Sequence, residues 1–154
     1  MTVLEPFESV CLGEECSSRL CKEMKRELSF FSFLSAADLE AVSAYFNCRT
    51  VTARTNLWNA GDDCDYIAFI VAGRVQIKVD TEFPGKQVVV GVFSRGSVIG
   101  SSCAVDTEPR YTTATVMENA GLVLITHENF NRLIDDYPEV GTKLLKGMLL
   151  SESN

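Results

Sequence analysis

The chain has 154 residues, of which 46% are hydrophobic and 23% charged, with a net charge of −7 and a pI near 4.7. That length suits one domain with a real core, and the composition reads as soluble and globular. The acidic balance argues against a nucleic-acid-binding face, no run approaches the ~20 apolar residues of a membrane span, and the opening residues lack the basic start and apolar centre of a signal peptide. The expectation is a cytoplasmic protein that engages neither nucleic acid nor membrane.

Residues 1–17 read as an N-terminal arm, and residues 18–154 as one domain with helices at both of its ends. Leu20, Met24 and Leu28 recur at helical spacing among charged residues, which predicts a helix over 18–28. Residues 30–34, four of them Phe or Leu around Ser32, read as a core plug. Ser35 and Asp38 have the spacing of a capping box, with Leu34 and Leu39 as its staple, so a second helix is expected there, with Leu39, Val42 and Phe46 on its apolar side.

The period then changes. Residues 57–62 read as a short strand ending in a glycine turn. Residues 66–71 are almost wholly apolar, as in a strand buried on both faces. Val75, Ile77 and Val79 alternate with polar residues, the pattern of a half-buried strand. Residues 82–86 form a turn into a further strand over 87–93. Gly61, Gly73 and Gly85 are assigned to turns with positive φ. A last strand spans 121–125. Thr126 caps a helix carrying Phe130, Leu133 and Ile134, and Pro138 opens a final helix with Val140, Leu144, Leu145, Met148 and Leu149. Those apolar residues either cover the strands or form a homodimer seam. The fold class is mainly β with flanking helices, a jelly-roll β-barrel of about eight short strands.

The stretch from Arg95 to Val116 organises the rest. Gly96 and Gly100 bracket Val98 and Ile99, a small-residue segment follows over 101–104, and Glu108-Pro109-Arg110 leads into a β-branched run. A turn of small residues can aim several backbone N–H groups into one concavity, and an arginine beside them adds a charged two-pronged donor. Together they make a phosphate cradle.

Gly100-Ser-Ser-Cys-Ala followed by Pro109-Arg110-Tyr-Thr resembles the phosphate-binding cassette of cyclic-nucleotide-binding domains, which occur in catabolite activator proteins, in the regulatory subunits of cAMP-dependent protein kinase and in cyclic-nucleotide-gated channels. The resemblance covers about residues 28–150. It implies the jelly-roll (double-stranded β-helix) fold of that family, a cyclic nucleotide such as cAMP or cGMP as the ligand, and a ligand site at Gly100, Ser101, Ser102, Cys103, Arg110, Tyr111 and Thr112. It also exposes one departure: the family glutamate that bonds the ribose 2′-hydroxyl is Ser101 here.

The single histidine, His127, stands at a helix start far from any nucleophile and reads as a surface residue. No paired carboxylates, metal-ligand spacing or nucleophile elbow appears, so no catalytic residue, metal or resident cofactor is expected, and the chain reads as a non-enzyme. The cysteines, Cys11, Cys16, Cys21, Cys48, Cys64 and Cys103, are expected to be mostly thiols in a cytoplasmic setting. The C-x4-C-x4-C spacing of the first three suits no common metal cluster. Three functional classes remain: a stand-alone regulatory sensor that binds a phosphate-bearing nucleotide and signals to a protein partner, a degenerate domain of the same fold acting as a ligand-free interaction module, and a cysteine-based redox or metal sensor.

Overall fold

The computed structural model describes residues 33–153. The arm, the helix expected over 18–28 and the first part of the core plug lie outside these residues. Helix α1 spans Ala36–Val42, and a 3-10 turn, Ser43–Tyr45, follows it. Six strands come next: β1 (Asn47–Val51), β2 (Asn56–Trp58), β3 (Tyr66–Asp80), β4 (Gln87–Phe93), β5 (Val98–Ile99) and β6 (Thr112–Thr126). A second 3-10 turn, Ser101–Ala104, sits between β5 and β6, and helices α2 (His127–Asp136) and α3 (Pro138–Ser153) close the described chain.

The helix starts follow their local chemistry. Ser35 Oγ accepts from the Asp38 amide and the Asp38 carboxylate accepts from the Ser35 amide, each at 3.0 Å, so the capping box is formed. Leu34 and Leu39 flank it in one buried cluster, whereas Phe33 is 45% exposed. Thr126 Oγ1 accepts from the Asn129 amide at 3.0 Å and caps α2.

The sheet is antiparallel in the order β1-β6-β3-β4, with β2 also on β6 and β5 also on β3. It is not closed as a barrel, and its strands are fewer and longer than expected. The segments expected at 66–71 and 75–79 are one strand, β3, and the β-branched run after Arg110 continues into the segment at 121–125 as β6. The two long strands pair through register shifts between Ile70 and Val75, which let each bend instead of ending. Gly73, at φ +84°, makes that bend; a Cβ there would lie 2.7 Å from Ala120 Cα.

Alternation along β3 divides the core. Ile67, Phe69 and Val71 face a cluster completed by Leu34, Leu39 and Val42, by Phe130 and Leu133, and by Val140, Leu144 and Met148 at i, i+4, i+8 of α3. The final helix thus covers the strands with its apolar stripe, leaving Leu149 67% and Leu150 38% exposed. Ala68 and Ile70 point the other way, into a second cluster with Trp58, Val75, Ile77, Leu122 and Leu124. The candidate site lies at the Trp58 end of this inner cluster.

Candidate functional site

Strand β5 is two residues long and joins β3 by the pairs Ala68↔Ile99 and Phe69↔Val98. It ends at Gly100, which takes the left-handed conformation at φ 74°. A Cβ at this position would overlap Nη1 of Arg110 and press on Trp58 at 3.2 Å, so glycine is required by both backbone and neighbours. The chain then tightens into the Ser101–Ala104 turn, where the Cys103 amide donates to the Gly100 carbonyl at 3.1 Å.

Arg110 is fixed from both sides of its backbone. Its amide donates to the Asp62 carbonyl at 2.7 Å, and the Gly61 amide donates to the Arg110 carbonyl at 2.6 Å. Gly61 at φ +95° turns the chain so that these bonds can form. Thr112 and Thr113 then tie the start of β6 to β2 and the residues after it: Trp58 Nε1 donates to Thr112 Oγ1 at 3.2 Å and the Ala60 amide donates to Thr113 Oγ1 at 3.1 Å.

The Arg110 side chain is 3% exposed. Its Cζ lies 3.6 Å from the centroid of Trp58 and 5.1 Å from that of Tyr66, and the two rings meet edge to face at 5.6 Å. Nη2 donates to the Tyr66 carbonyl at 2.7 Å and stands 3.9 Å from the Asp65 carboxylate, itself 71% exposed. Nε is buried with no hydrogen-bond partner. Burial pushes the guanidinium pKa below its ordinary value, while Tyr66, Asp65 and Asp62 act in the opposite direction. Arginine stays protonated under such a shift. The site therefore holds a buried cation over aromatic faces, with one distant, solvated carboxylate and one N–H unanswered.

A cavity of ≈ 770 Å³ opens beside this guanidinium. Of the seven residues expected from sequence, Gly100, Ser101, Ser102, Arg110, Tyr111 and Thr112 line it. Tyr111 does so with a side chain left mostly in solvent, the residue being 77% exposed. Cys103 differs: it is wholly buried, its amide is engaged within the turn, and its side chain is bonded to Cys64.

That bond corrects the thiol expectation. Cys64 and Cys103, 39 residues apart in sequence, form a disulfide across a Cα–Cα distance of 5.4 Å, and Cys48 is also disulfide-bonded. The β3–β5 pairing brings the segment before β3 against the turn after β5, a proximity that spacing along the chain does not encode. His127 is corrected too. It is half-buried, its Nδ1 lies 2.6 Å from the Cys103 carbonyl, and its Nε2 lies 3.0 Å from the Asn131 side-chain amide. The neutral tautomer that donates from Nδ1 and accepts at Nε2 satisfies both contacts. Sequence reasoning also passed over Trp58 and Tyr66, which hold Arg110. A lone tryptophan directly before a glycine turn was the available signal, but its partner lies 52 residues downstream.

No group of three or more His, Cys, Asp or Glu side chains among the described residues is placed to hold a metal ion. No helix among them is long and apolar enough to cross a membrane.

A family profile described as "Cyclic nucleotide-binding domain" matches residues 48–137, more than half of the chain, and the protein belongs to that family. Among curated proteins, "Patatin-like phospholipase domain-containing protein 6" of Homo sapiens is 32% identical over 97 residues, covering 62% of this chain and 7% of that protein. "Pycsar effector protein XpPycTIR" of Xanthomonas perforans is 28% identical over 93 residues, 60% of this chain and 29% of that one. The chain thus spans only a small part of these relatives. Among solved structures, a cyclic nucleotide-binding domain from Methylobacillus flagellatus superposes with a TM-score of 0.77 at 18% identity, covering 89% of this chain and 78% of that chain. The regulatory domain of Toxoplasma gondii PKA, crystallised with cAMP, gives 0.69 at 15%, covering 84% and 48%. These likenesses establish the jelly-roll fold of the family.

Proposed function

We propose that this domain is a non-catalytic regulatory module that binds a phosphate-bearing ligand, of the cyclic-nucleotide class, in the cavity between the 100–104 turn and Arg110. The observation that carries this reading is the under-compensated cation: Arg110 is buried, its Nε lacks a partner, and its guanidinium borders a cavity large enough for a nucleotide. Burying a charge costs free energy unless something answers it, and an anion in the cavity would do so through the charge of the guanidinium, Nε itself having no surface open to the cavity. Gly100 belongs to the same design, because its missing side chain leaves room for the guanidinium. Ligand capture would reach a protein partner through α2, whose first residue touches the turn at the Cys103 carbonyl.

Ser101 narrows the ligand. It lines the cavity where the family glutamate would stand, and a serine is too short and uncharged to grip a ribose hydroxyl except through water. Weak binding of cAMP or cGMP, with little discrimination against their 2′-deoxy forms, is the expected behaviour. Isothermal titration against cyclic mononucleotides, their 2′-deoxy analogues and cyclic dinucleotides tests this. Heat from none of them, with protein shown to be folded, would favour a ligand-free interaction module. That second reading has its own observation: Val88, Val89, Val90 and Val92 on edge strand β4 are all exposed.

A further inference from the structure

The Cys64–Cys103 disulfide sits at the edge of the anion cradle. Cys103 is the third residue of the Ser101–Ala104 turn and is wholly buried. Cys64 lies between Asp62, whose carbonyl holds the Arg110 amide, and Asp65, the carboxylate near the guanidinium. The bond therefore ties the glycine-rich half of the cradle to the segment that positions its arginine. Of the two cysteines, Cys64 is the one that lines the cavity, whereas Cys103 is wholly buried. The turn sends Cys103 and Ala104 into the core, and the His127–Cys103 contact meets it from α2; ahead of it, β5 joins β3 by two residue pairs.

We propose that Cys64 and Cys103 form a dithiol–disulfide exchange site that sets how ordered the 101–104 turn is, and through it the affinity for an anionic ligand; the second part rests on the function proposed above. The partner is a dithiol reductant. One of its thiolates attacks Cys64 Sγ, the Cys64–Cys103 bond breaks, and the electron pair passes to Cys103 Sγ, which takes a proton from solvent. The reductant's second thiolate then attacks its own sulfur in the mixed disulfide, releasing Cys64, which is protonated in turn. Two electrons and two protons enter the protein, and the reductant leaves as a disulfide. Both cysteines belong to the same apolar cluster, and a free cysteine packs as a small hydrophobe, so reduction loosens the turn without dissolving the core. An ordered cradle binds better than one that must be ordered on binding, so the oxidised form is the tighter binder.

The test compares oxidised protein with protein reduced by dithiothreitol, following amide hydrogen exchange over residues 97–112 and titrating with cAMP and with sulfate. Reduction is expected to speed exchange at 101–104 and to weaken cAMP binding roughly three- to tenfold, the scale of ordering one short segment. A Cys64→Ser variant should sit at the reduced values over 101–104 and show no further change there with reductant, although its Cys48 disulfide is still reduced. Identical exchange in the two forms of the parent would overturn the proposal, as would alkylation of both Cys64 and Cys103 by iodoacetamide after treatment with oxidised glutathione. If exchange responds to reductant while neither cAMP nor sulfate binds in either form, the redox site stands and the anion-binding reading falls.

Discussion

The guanidinium of Arg110 lies over the ring of Trp58, with Cζ 3.6 Å from the ring centroid, and Trp58 in turn donates from Nε1 to Thr112, two residues beyond that arginine. The sole tryptophan of the chain therefore both carries the cation and is anchored to the strand that delivers it. The cation–π contact replaces part of the hydration that Arg110 loses on burial without presenting it with a neutralising carboxylate. The charge stays available.

This arrangement makes Trp58 a native reporter. Its emission should change as an anion binds, in proportion to the occupancy measured by titration; constant emission at saturation would show that the ligand does not reach the guanidinium. Trp58→Leu should weaken binding by about 1 kcal/mol, roughly fivefold, because the stacked position is lost. Trp58→Ala, at a residue 4% exposed, should cost about 3–5 kcal/mol of stability in urea unfolding.

Arg110→Ala should lose about 1.5–3 kcal/mol of ligand affinity, or roughly tenfold to a hundredfold. Arg110→Lys should restore little of it, since an ammonium offers no planar fork to match the Trp58 face and the Tyr66 carbonyl together. Calorimetry on both variants decides the point. A lysine variant that binds as the parent does would mean that net charge alone, and not the stacked fork, captures the ligand.

At Ser101, substitution by glutamate should tighten cyclic-nucleotide binding by about 1–2 kcal/mol and create discrimination against the 2′-deoxy analogue, the scale of one charged hydrogen bond. Titration of parent and Ser101→Glu with cAMP and 2′-deoxy-cAMP separates the outcomes. A parent that already rejects the deoxy form would show that another group grips the ribose.

The acid limb of stability should carry the signature of Asp38. Its carboxyl is held below the ordinary value of 3.8, first by the hydrogen bond from the Ser35 amide and then by that from Lys143 Nζ at 3.0 Å. Between the folded and unfolded pKa values the unfolded chain binds more protons, so stability rises with pH there. The contribution is complete above about 3.8 and is lost as pH falls through the lower folded value. Urea midpoints recorded from pH 5 down to pH 2.5 should fall less steeply for Asp38→Asn than for the parent. Parallel slopes would assign the acid sensitivity to other carboxylates.

Much of this protein was legible in its sequence because the relevant physics is local. The Ser35–Asp38 capping box, the Thr126 cap, the positive φ at Gly61, Gly73 and Gly85, and the apolar stripe of Val140, Leu144 and Met148 each depend on residues within a few positions of one another. That Gly100 and Arg110 belong together was legible through the spacing of their motif, and both line the cavity. Strand continuity was not: period-2 alternation breaks at Gly73 and at Asn119–Gly121 whether a strand ends or merely bends, and only the β3–β6 ladder holds the two halves of each strand together. The Cys64–Cys103 bond, the seat of Arg110 on Trp58 and the contact between His127 and the turn were likewise decided by tertiary structure, because each joins segments that meet only after β3, β5 and β6 have paired. Composition and local pattern determined which residues could make a cradle; the long-range pairing determined which of them face the cavity, and that Cys103 instead faces the core.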